Sequence, residues 1–179
     1  MAKTYKMTIA GLERELPICS LNDKLDIAAF VMFSDVEITV ASAEALLKKC
    51  PDFDVILTAE SKGIPRGYEM ARQSGKPYVV ARKSVKLYMT DPVAVKVKSI
   101  TTAAEQTLYL SAEKAAMLRG KRVLIADDVI STGESLTALE KLVEAAGGSI
   151  AAKAAVLAEG DAADRTDIVF LEKLPLCFK

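Results

Sequence analysis

The sequence predicts an α/β fold with a mostly parallel central sheet, helices on both faces and a small flap at the N-terminus. Short runs rich in Val, Ile, Leu and Ala alternate with segments whose apolar residues recur at helical spacing. Such alternation is typical of strand–helix–strand units, which build parallel sheets covered on both sides. The length of 179 residues suits one domain with its own core, so we expect a single domain over 1–179.

The first 38 residues lie outside this alternation and predict the flap. Residues 5–10 alternate weakly between polar and apolar side chains. Residues 14–19 and 25–33 flank a polar stretch, 20–24, which suits a hairpin turn. These extended segments are expected to cover the strand ends of the central sheet.

The rest of the chain predicts helices and strands in turn. The predicted helices cover residues 40–49, 64–74, 111–118 and 136–146. The predicted strands cover residues 54–59, 77–81, 121–127, 150–158 and 168–171. Ser111 is expected to cap the third helix, and Gly75, with Pro77 beyond it, to end the second.

Composition excludes several classes of function. Lys and Arg together number 24, as do Asp and Glu, so the net charge is zero and argues against nucleic-acid binding by bulk electrostatics. No apolar run approaches the roughly 20 residues that a membrane-spanning helix needs, and the N-terminus has no signal-peptide pattern. We therefore expect a cytoplasmic protein without membrane contact. The chain has no histidine and three scattered cysteines, which excludes the usual zinc and histidine-based catalytic sites.

The most informative segment is 123–135, Val-Leu-Ile-Ala-Asp-Asp-Val-Ile-Ser-Thr-Gly-Glu-Ser. A buried strand pattern ends in two carboxylates, Asp127 and Asp128, at the edge where open α/β sheets bind ligands. The following loop supplies hydroxyls and backbone N–H groups at a helix start, which attracts anions. Gly133 lets the chain turn tightly there. The order of strand, acidic pair, loop and helix predicts a site for a phosphorylated sugar.

Two more polar segments follow predicted strands. Residues 59–63, Ala-Glu-Ser-Lys-Gly, again join a strand to a helix. Residues 82–87, Arg-Lys-Ser-Val-Lys-Leu, place three cations just past a strand end, where they would attract a multiply charged anion. Either segment alone would suit an ordinary turn or a solvated basic surface.

Segment 123–135 resembles the signature of the type I phosphoribosyltransferases, whose acidic pair and Thr-Gly loop grip 5-phosphoribosyl-1-pyrophosphate (PRPP). The resemblance implies that Asp127 and Asp128 hold the ribose and, through water, a Mg²⁺ ion. The residues implied to bind the 5-phosphate are Ser131, Thr132, Gly133, Glu134 and Ser135. Many members have a second glycine where Glu134 stands, so we expect Glu134 to contribute its N–H alone.

The other two segments resemble further parts of the same family. Segment 59–63 resembles the pyrophosphate loop, and segment 82–87 resembles the Arg-Lys-x-x-Lys-Leu of adenine phosphoribosyltransferases. The residues implied to bind pyrophosphate are Glu60, Ser61, Lys62, Gly63, Arg82, Lys83 and Lys86. The residues implied to be catalytic are Asp127, Asp128, Arg82 and Lys86.

The resemblance implies the type I phosphoribosyltransferase fold and a Mg²⁺-dependent purine phosphoribosyltransferase similar to the adenine and xanthine enzymes. Its expected partners are PRPP, a nucleobase and a second copy of the chain. Residues 1–38 and 172–179 are expected on the base side, and 87–112 as a mobile loop that closes over the site. Two alternatives stay open: a PRPP-binding regulator without catalysis, and an enzyme for another base such as xanthine, hypoxanthine, orotate or uracil.

The base side of the site matches the family least well. Tyr109 aligns with a glutamate that is proposed to handle the base proton in adenine enzymes. Glu105 is four residues away and would replace that glutamate only if the loop geometry differs. Phe33 and Phe178 are candidates for stacking on the base, although an aromatic residue at either position is more often part of a core.

Overall fold

The computed structural model describes residues 3–98 and 105–178. In chain order its strands are β1 (Thr4–Ile9), β2 (Leu12–Asn22), β3 (Leu25–Ala28), β4 (Val55–Ala59), β5 (Tyr78–Ala81), β6 (Val93–Lys98), β7 (Glu105–Leu110), β8 (Arg122–Ile130), β9 (Ser149–Glu159), β10 (Val169–Leu174) and β11 (Leu176–Phe178). Its α-helices are α1 (Val36–Lys49), α2 (Gly63–Ser74), α3 (Ala112–Leu118) and α4 (Glu134–Ala145). A short 3₁₀ helix, Gly160–Asp164, follows β9.

A five-stranded parallel sheet forms the centre, in the order β10-β9-β8-β4-β5. Helices α1 and α2 cover one face, where Leu46 and Met70 are fully buried. Helices α3 and α4 cover the other face, where Leu118 and Leu139 are fully buried. Because strands buried on both faces need apolar side chains throughout, the strand runs read as nearly continuous hydrophobic sequence. The predicted fold class is confirmed.

The flap is a separate four-stranded antiparallel sheet in the order β1-β2-β3-β11. Its last strand comes from the end of the chain, where Leu176 pairs with Ile27. The predicted bounds of 1–38 and 172–179 differ from those observed. Helix α1 begins at Val36 because the Asp35 side chain accepts a hydrogen bond from the Ile38 N–H at 3.0 Å. At the other end, residues 172–174 belong to β10 of the central sheet.

Strand β8 is longer than predicted, and this changes the setting of the acidic pair. The sequence predicted that the strand ends at Asp127, whereas it continues to Ile130. The extension forms because Val129 pairs with Leu157 and Ile130 with Ala158 in β9. Asp127 and Asp128 therefore lie within the strand. Helix α4 correspondingly begins at Glu134, two residues before the predicted start.

Segment 87–112 contains an antiparallel strand pair. Strands β6 and β7 pair through their described residues, and Leu108 and Leu110 are buried against α4 and the central sheet. Residues 99–104 lie outside the described residues, as does the side chain of Glu105. Closure of this segment over a ligand therefore stays a prediction.

Within residues 3–98 and 105–178, no helix is both long enough and apolar enough to cross a membrane.

Candidate active site

The three polar segments singled out in the sequence converge at one edge of the sheet, because β4, β5 and β8 are parallel neighbours. A cavity of about 160 Å³ lies between them. Its lining includes the loop 59–63, Lys83, Asp127, Asp128 and Ser135. A smaller cavity of about 40 Å³ adjoins it and is lined by Asp127 and residues 129–136. The structure thus brings the acidic pair and both predicted anion loops together.

Asp127 and Asp128 are tied to each other and to the neighbouring loop. The Asp128 N–H donates to Asp127 Oδ1 at 2.9 Å. Asp128 is only 7% exposed, and its Oδ2 lies 3.3 Å from the Nζ of Lys62. Burial, followed by the adjacent charge of Asp128, raises the pKa of Asp127 to about 7. A cation bound beside the pair would oppose this shift and favour the ionised form of Asp127.

The loop after β8 has the geometry of an anion cradle. Gly133 is the N-cap of α4 with φ of +79°, a conformation that glycine adopts without strain. Ser131 and Thr132 are exposed beside it. The twelve-residue helix that follows directs the positive end of its dipole at this loop. These features suit a phosphate group.

Arg165 lies next to this loop and was not singled out in the sequence. A Cβ placed on Gly133 would lie 2.9 Å from Arg165 Nη1, so the guanidinium lies directly against this glycine. Asp167 holds the guanidinium through bonds of 2.8 Å from Nε and 2.7 Å from Nη2. Because Arg165 is some thirty residues along the chain from Gly133, no local pattern indicates this proximity.

The loop between β4 and α2 approaches the sheet closely. The peptide bond between Glu60 and Ser61 is cis. Helix α2 begins at Gly63, where an added Cβ would lie 2.0 Å from the buried Thr58 Oγ1. Only glycine therefore fits where the helix start meets β4, and this packing holds the loop against the acidic pair.

Glu60 joins this loop to the basic segment after β5. Its Oε2 lies 3.0 Å from Arg82 Nε, and its Oε1 accepts a hydrogen bond from the Lys83 N–H. The backbone of Arg82 also pairs with that of Tyr109 in β7 through two hydrogen bonds, with N to O distances of 2.9 and 2.8 Å. The Glu60 carboxylate is thus engaged by the protein itself, which makes it a connector between segments.

The three cations of segment 82–87 are placed differently. Lys83 lines the 160 Å³ cavity, whereas Arg82 lines a separate cavity of about 370 Å³ that lies between β5, Tyr88 and Lys114. Lys86 lines neither cavity, and its Nζ donates to Ser84 Oγ at 2.7 Å. The larger cavity contains neither carboxylate of the acidic pair. Among these cations, Lys83 alone is placed in the site cavity.

A second residue that sequence reasoning missed is Arg66, in the first turns of α2. It is fully buried, and its Nη2 donates to the sulfur of Met32 at 2.6 Å. Within the described residues, its Nε and Nη1 have no hydrogen-bond partner. Burial lowers the pKa of Arg66 to about 10, and the charges of Asp128 and Asp127 oppose that shift.

Only some of the residues predicted on the base side have side chains that the structure describes. Phe33 is 47% exposed, and Tyr109 is partly buried. The side chain of Phe178 lies outside the described residues. No group of three or more carboxylate, thiolate or imidazole side chains suited to a metal occurs where side chains are described. A metal ion at the acidic pair would need further oxygen ligands from a substrate.

Known proteins provide an independent comparison. The family model described as a phosphoribosyl transferase domain matches residues 36–173. The chain is 36% identical over 114 residues to a hypoxanthine/guanine phosphoribosyltransferase of Methanothrix thermoacetophila, covering 64% of this chain and 56% of that protein. It is 36% identical over 127 residues to an adenine phosphoribosyltransferase of Rhodococcus jostii, covering 70% of this chain and 69% of the relative.

Solved structures give the same result. The chain is similar to adenine phosphoribosyltransferase from Thermoanaerobacter pseudethanolicus, with a TM-score of 0.68, 27% identity and coverage of 79% of this chain and 84% of the other. The yeast adenine phosphoribosyltransferase, solved with adenine, has a TM-score of 0.67 at 19% identity and coverage of 94% and 93%, and supports the fold alone. The match spans only 56% to 69% of the two curated relatives described above.

Proposed function

Because this chain belongs to the family of phosphoribosyl transferase domains, we propose that it transfers the ribose 5-phosphate of PRPP to a ring nitrogen of a purine base. The observation that carries the proposal is the convergence of Asp127, Asp128 and two anion loops on one cavity. The curated relatives named above act on adenine or on hypoxanthine and guanine, which supports a purine as acceptor. We assign the chain to nucleotide salvage on this basis.

The reaction exchanges one bond at the ribose C1 for another. The C1–oxygen bond to pyrophosphate breaks, the bond from C1 to the base nitrogen forms, and the proton of that nitrogen leaves to solvent. Positive charge develops at C1 as the leaving group departs. The negative charges of Asp127 and Asp128, on the same edge of the sheet, would favour that charge and accept hydrogen bonds from the ribose hydroxyls.

The loop after β8 would hold the 5-phosphate. Ser131 and Thr132 offer hydroxyls, and the N-terminus of α4 offers backbone dipoles. The backbone N–H groups of Gly133, Glu134 and Ser135 complete the proposed cradle, and Arg165 adds a cation beside it. A phosphate fixed here would orient C1 toward the 160 Å³ cavity that the acidic pair lines.

The loop 59–63 and Lys83 would hold the pyrophosphate. Ser61, Lys62 and Gly63 line the cavity and would offer their backbone N–H groups, while Lys83 would supply positive charge to a leaving group that gains negative charge. We assign positioning roles to Glu60 and Arg82, because their ion pair connects the two segments. Lys86 would need to turn from Ser84 to reach the same anion.

A magnesium ion fits the acidic pair by its chemistry. Two adjacent carboxylates offer the hard oxygen ligands that Mg²⁺ prefers, and in the described part of the chain Asp128 Oδ2 makes an ion pair with Lys62 but no hydrogen bond. We propose that Asp127 and Asp128 hold it, directly or through water. When bound, the ion would neutralise pyrophosphate charge and thereby ease departure of the leaving group.

Two further expectations follow from family membership. We propose that two copies of the chain associate, and that the protein works in the cytoplasm. Sedimentation of the purified protein and fractionation of cells that express it would test these points separately from the chemistry.

The experiment for the proposed function is a pyrophosphate-release assay with PRPP, Mg²⁺ and a panel of purines, with nucleotide product identified by chromatography. Release that depends on a purine, with the matching nucleoside monophosphate formed, is expected. Binding of PRPP without release in the presence of any base would instead identify a regulator. Release with orotate or uracil alone would overturn the assignment of a purine.

A further inference from the structure

Arg66 is a buried cation whose donors are largely unused. It is fully buried in α2, its Nε and Nη1 have no partner within the described residues, and Nη2 meets only the thioether of Met32. A thioether sulfur is a weak acceptor for a guanidinium. Burial of a cation without good acceptors is costly, and such groups are normally paired. The missing acceptor therefore indicates a ligand.

The surroundings of Arg66 locate that ligand. The helix that carries Arg66 starts beside the acidic pair, because a Cβ on Gly63, three residues earlier, would lie 3.7 Å from the Ala126 carbonyl oxygen and Lys62 reaches Asp128. The one hydrogen-bond partner of Arg66 within the described residues, Met32, lies between flap strand β3 and helix α1. Arg66 thus lies between the proposed ribose site and the flap. Because a base must bond to the ribose C1, this is also the region in which the proposed function requires the base.

The donor pattern determines which bases suit this position. A guanidinium carries five N–H donors and no acceptor. The 6-oxo group and N7 of a 6-oxopurine are adjacent acceptors, and arginine reads this pair bidentately in guanine. Adenine instead presents its 6-amino group, a donor, which would face the donors of Arg66. Met32 has a flexible side chain that can move aside as a base enters.

We infer that Arg66 is a specificity-determining residue that selects 6-oxopurines, such as hypoxanthine and guanine, over adenine. The inference rests on the proposed function and specifies its acceptor. The base takes over the contact of Nη2 with Met32 and supplies acceptors for the unpaired donors. The guanidinium also favours the base anion left when the ring nitrogen gives up its proton.

The test compares kcat/KM for hypoxanthine and adenine in the pyrophosphate-release assay, with guanine and orotate included. The wild-type protein is expected to prefer hypoxanthine by roughly tenfold or more. Arg66→Met, which removes the buried charge but keeps a long apolar side chain, is expected to lower that preference by roughly tenfold or more. Arg72→Met is the matched control, because Arg72 lies on the same helix, is half exposed and pairs with Glu69.

Folding and catalysis are controlled separately. Circular dichroism establishes that each variant is folded, and Arg66→Lys, which keeps the charge but loses the planar fork, replaces Arg66→Met if the latter fails to fold. Calorimetric titration of hypoxanthine and adenine, in Mg²⁺ and inorganic pyrophosphate, measures base binding without turnover. Selective binding of hypoxanthine that is lost with Arg66 supports the inference even if no base is turned over and the proposed function fails.

Several results would overturn the inference while the proposed function stands. They are equal or better use of adenine by the wild-type protein and an equal loss for all bases in Arg66→Met. An unchanged ratio of kcat/KM for hypoxanthine to kcat/KM for adenine in a folded Arg66 variant would also overturn the inference. If no base is bound or turned over, both the inference and the proposed function fail.

Discussion

The ammonium group of Lys62 lies 3.3 Å from the Oδ2 atom of Asp128. This contact joins the loop after β4 to strand β8, and so connects the proposed pyrophosphate and ribose sites. Lys62 is half exposed, while Asp128 is almost fully buried. A substrate that carries both a pyrophosphate and sugar hydroxyls would meet the two partners of this ion pair together.

The raised pKa of Asp127 predicts a pH-dependent cost to folding. A carboxyl with a raised folded-state pKa contributes stability at low pH, and loses it as pH rises through about 7. Asp127→Asn removes this ionisation and retains an oxygen for the Asp128 N–H. We therefore expect the free energy of unfolding of the variant, relative to that of the wild type, to increase by about 1–3 kcal/mol from pH 5 to pH 8. Urea unfolding at both pH values measures this, and a difference that does not change with pH would contradict it.

Lys83 and Lys86 form a matched pair of substitutions. Lys83 lines the site cavity, whereas Lys86 bonds to Ser84 outside it. Lys83→Met is expected to lower kcat/KM for PRPP by about tenfold or more, because a charged contact to the pyrophosphate is lost. Lys86→Met is expected to have the smaller effect in the same steady-state assay. A larger loss for Lys86 would show that segment 82–87 rearranges when PRPP binds.

The close approach of α2 to β4 predicts a steric cost at Gly63. An alanine Cβ there would lie 2.0 Å from Thr58 Oγ1, so Gly63→Ala should destabilise the protein by about 1–3 kcal/mol. Thr58→Ala removes the clashing hydroxyl, and the double variant should recover part of the loss. Thermal unfolding of the single and double variants measures this coupling. Additive losses would mean that the clash is relieved elsewhere.

Local patterns were sufficient to predict the sheet and the loops. The apolar run before Asp127 and the glycines at Gly63 and Gly133 are signals contained in a few consecutive residues. The predicted start of the first helix, residue 40, was four residues late, although Asp35 is a typical N-cap residue. The extra length of β8 could not be predicted from local sequence, since it depends on pairing with β9.

Long-range contacts account for what the sequence did not reveal. Arg66 and Arg165 reach the site only once α2 packs under the flap and the segment after β9 folds back over Gly133. Arg66 lies in the predicted helix 64–74, but no local pattern indicates the contacts of either arginine. The engagement of Glu60 by Arg82 likewise joins residues more than twenty positions apart. Their roles follow from charges and donors that the fold brings together.

We expect PRPP to react at the acidic pair, Asp127 and Asp128. Asp127→Asn combined with Asp128→Asn removes both carboxylate charges while keeping side-chain size, so the fold should be retained. Pyrophosphate release from PRPP, Mg²⁺ and a purine should fall by roughly a thousandfold or more, because charge stabilisation at C1 and the metal ligands are lost together. Asp161→Asn, at an exposed aspartate outside the site, is the control and should retain wild-type activity.

Pyrophosphate release by the wild-type protein and by this double variant is the most direct measurement. We expect purine-dependent release by the wild type and its loss in the folded double variant. Undiminished release by the double variant would contradict the assignment of Asp127 and Asp128 as the ribose site.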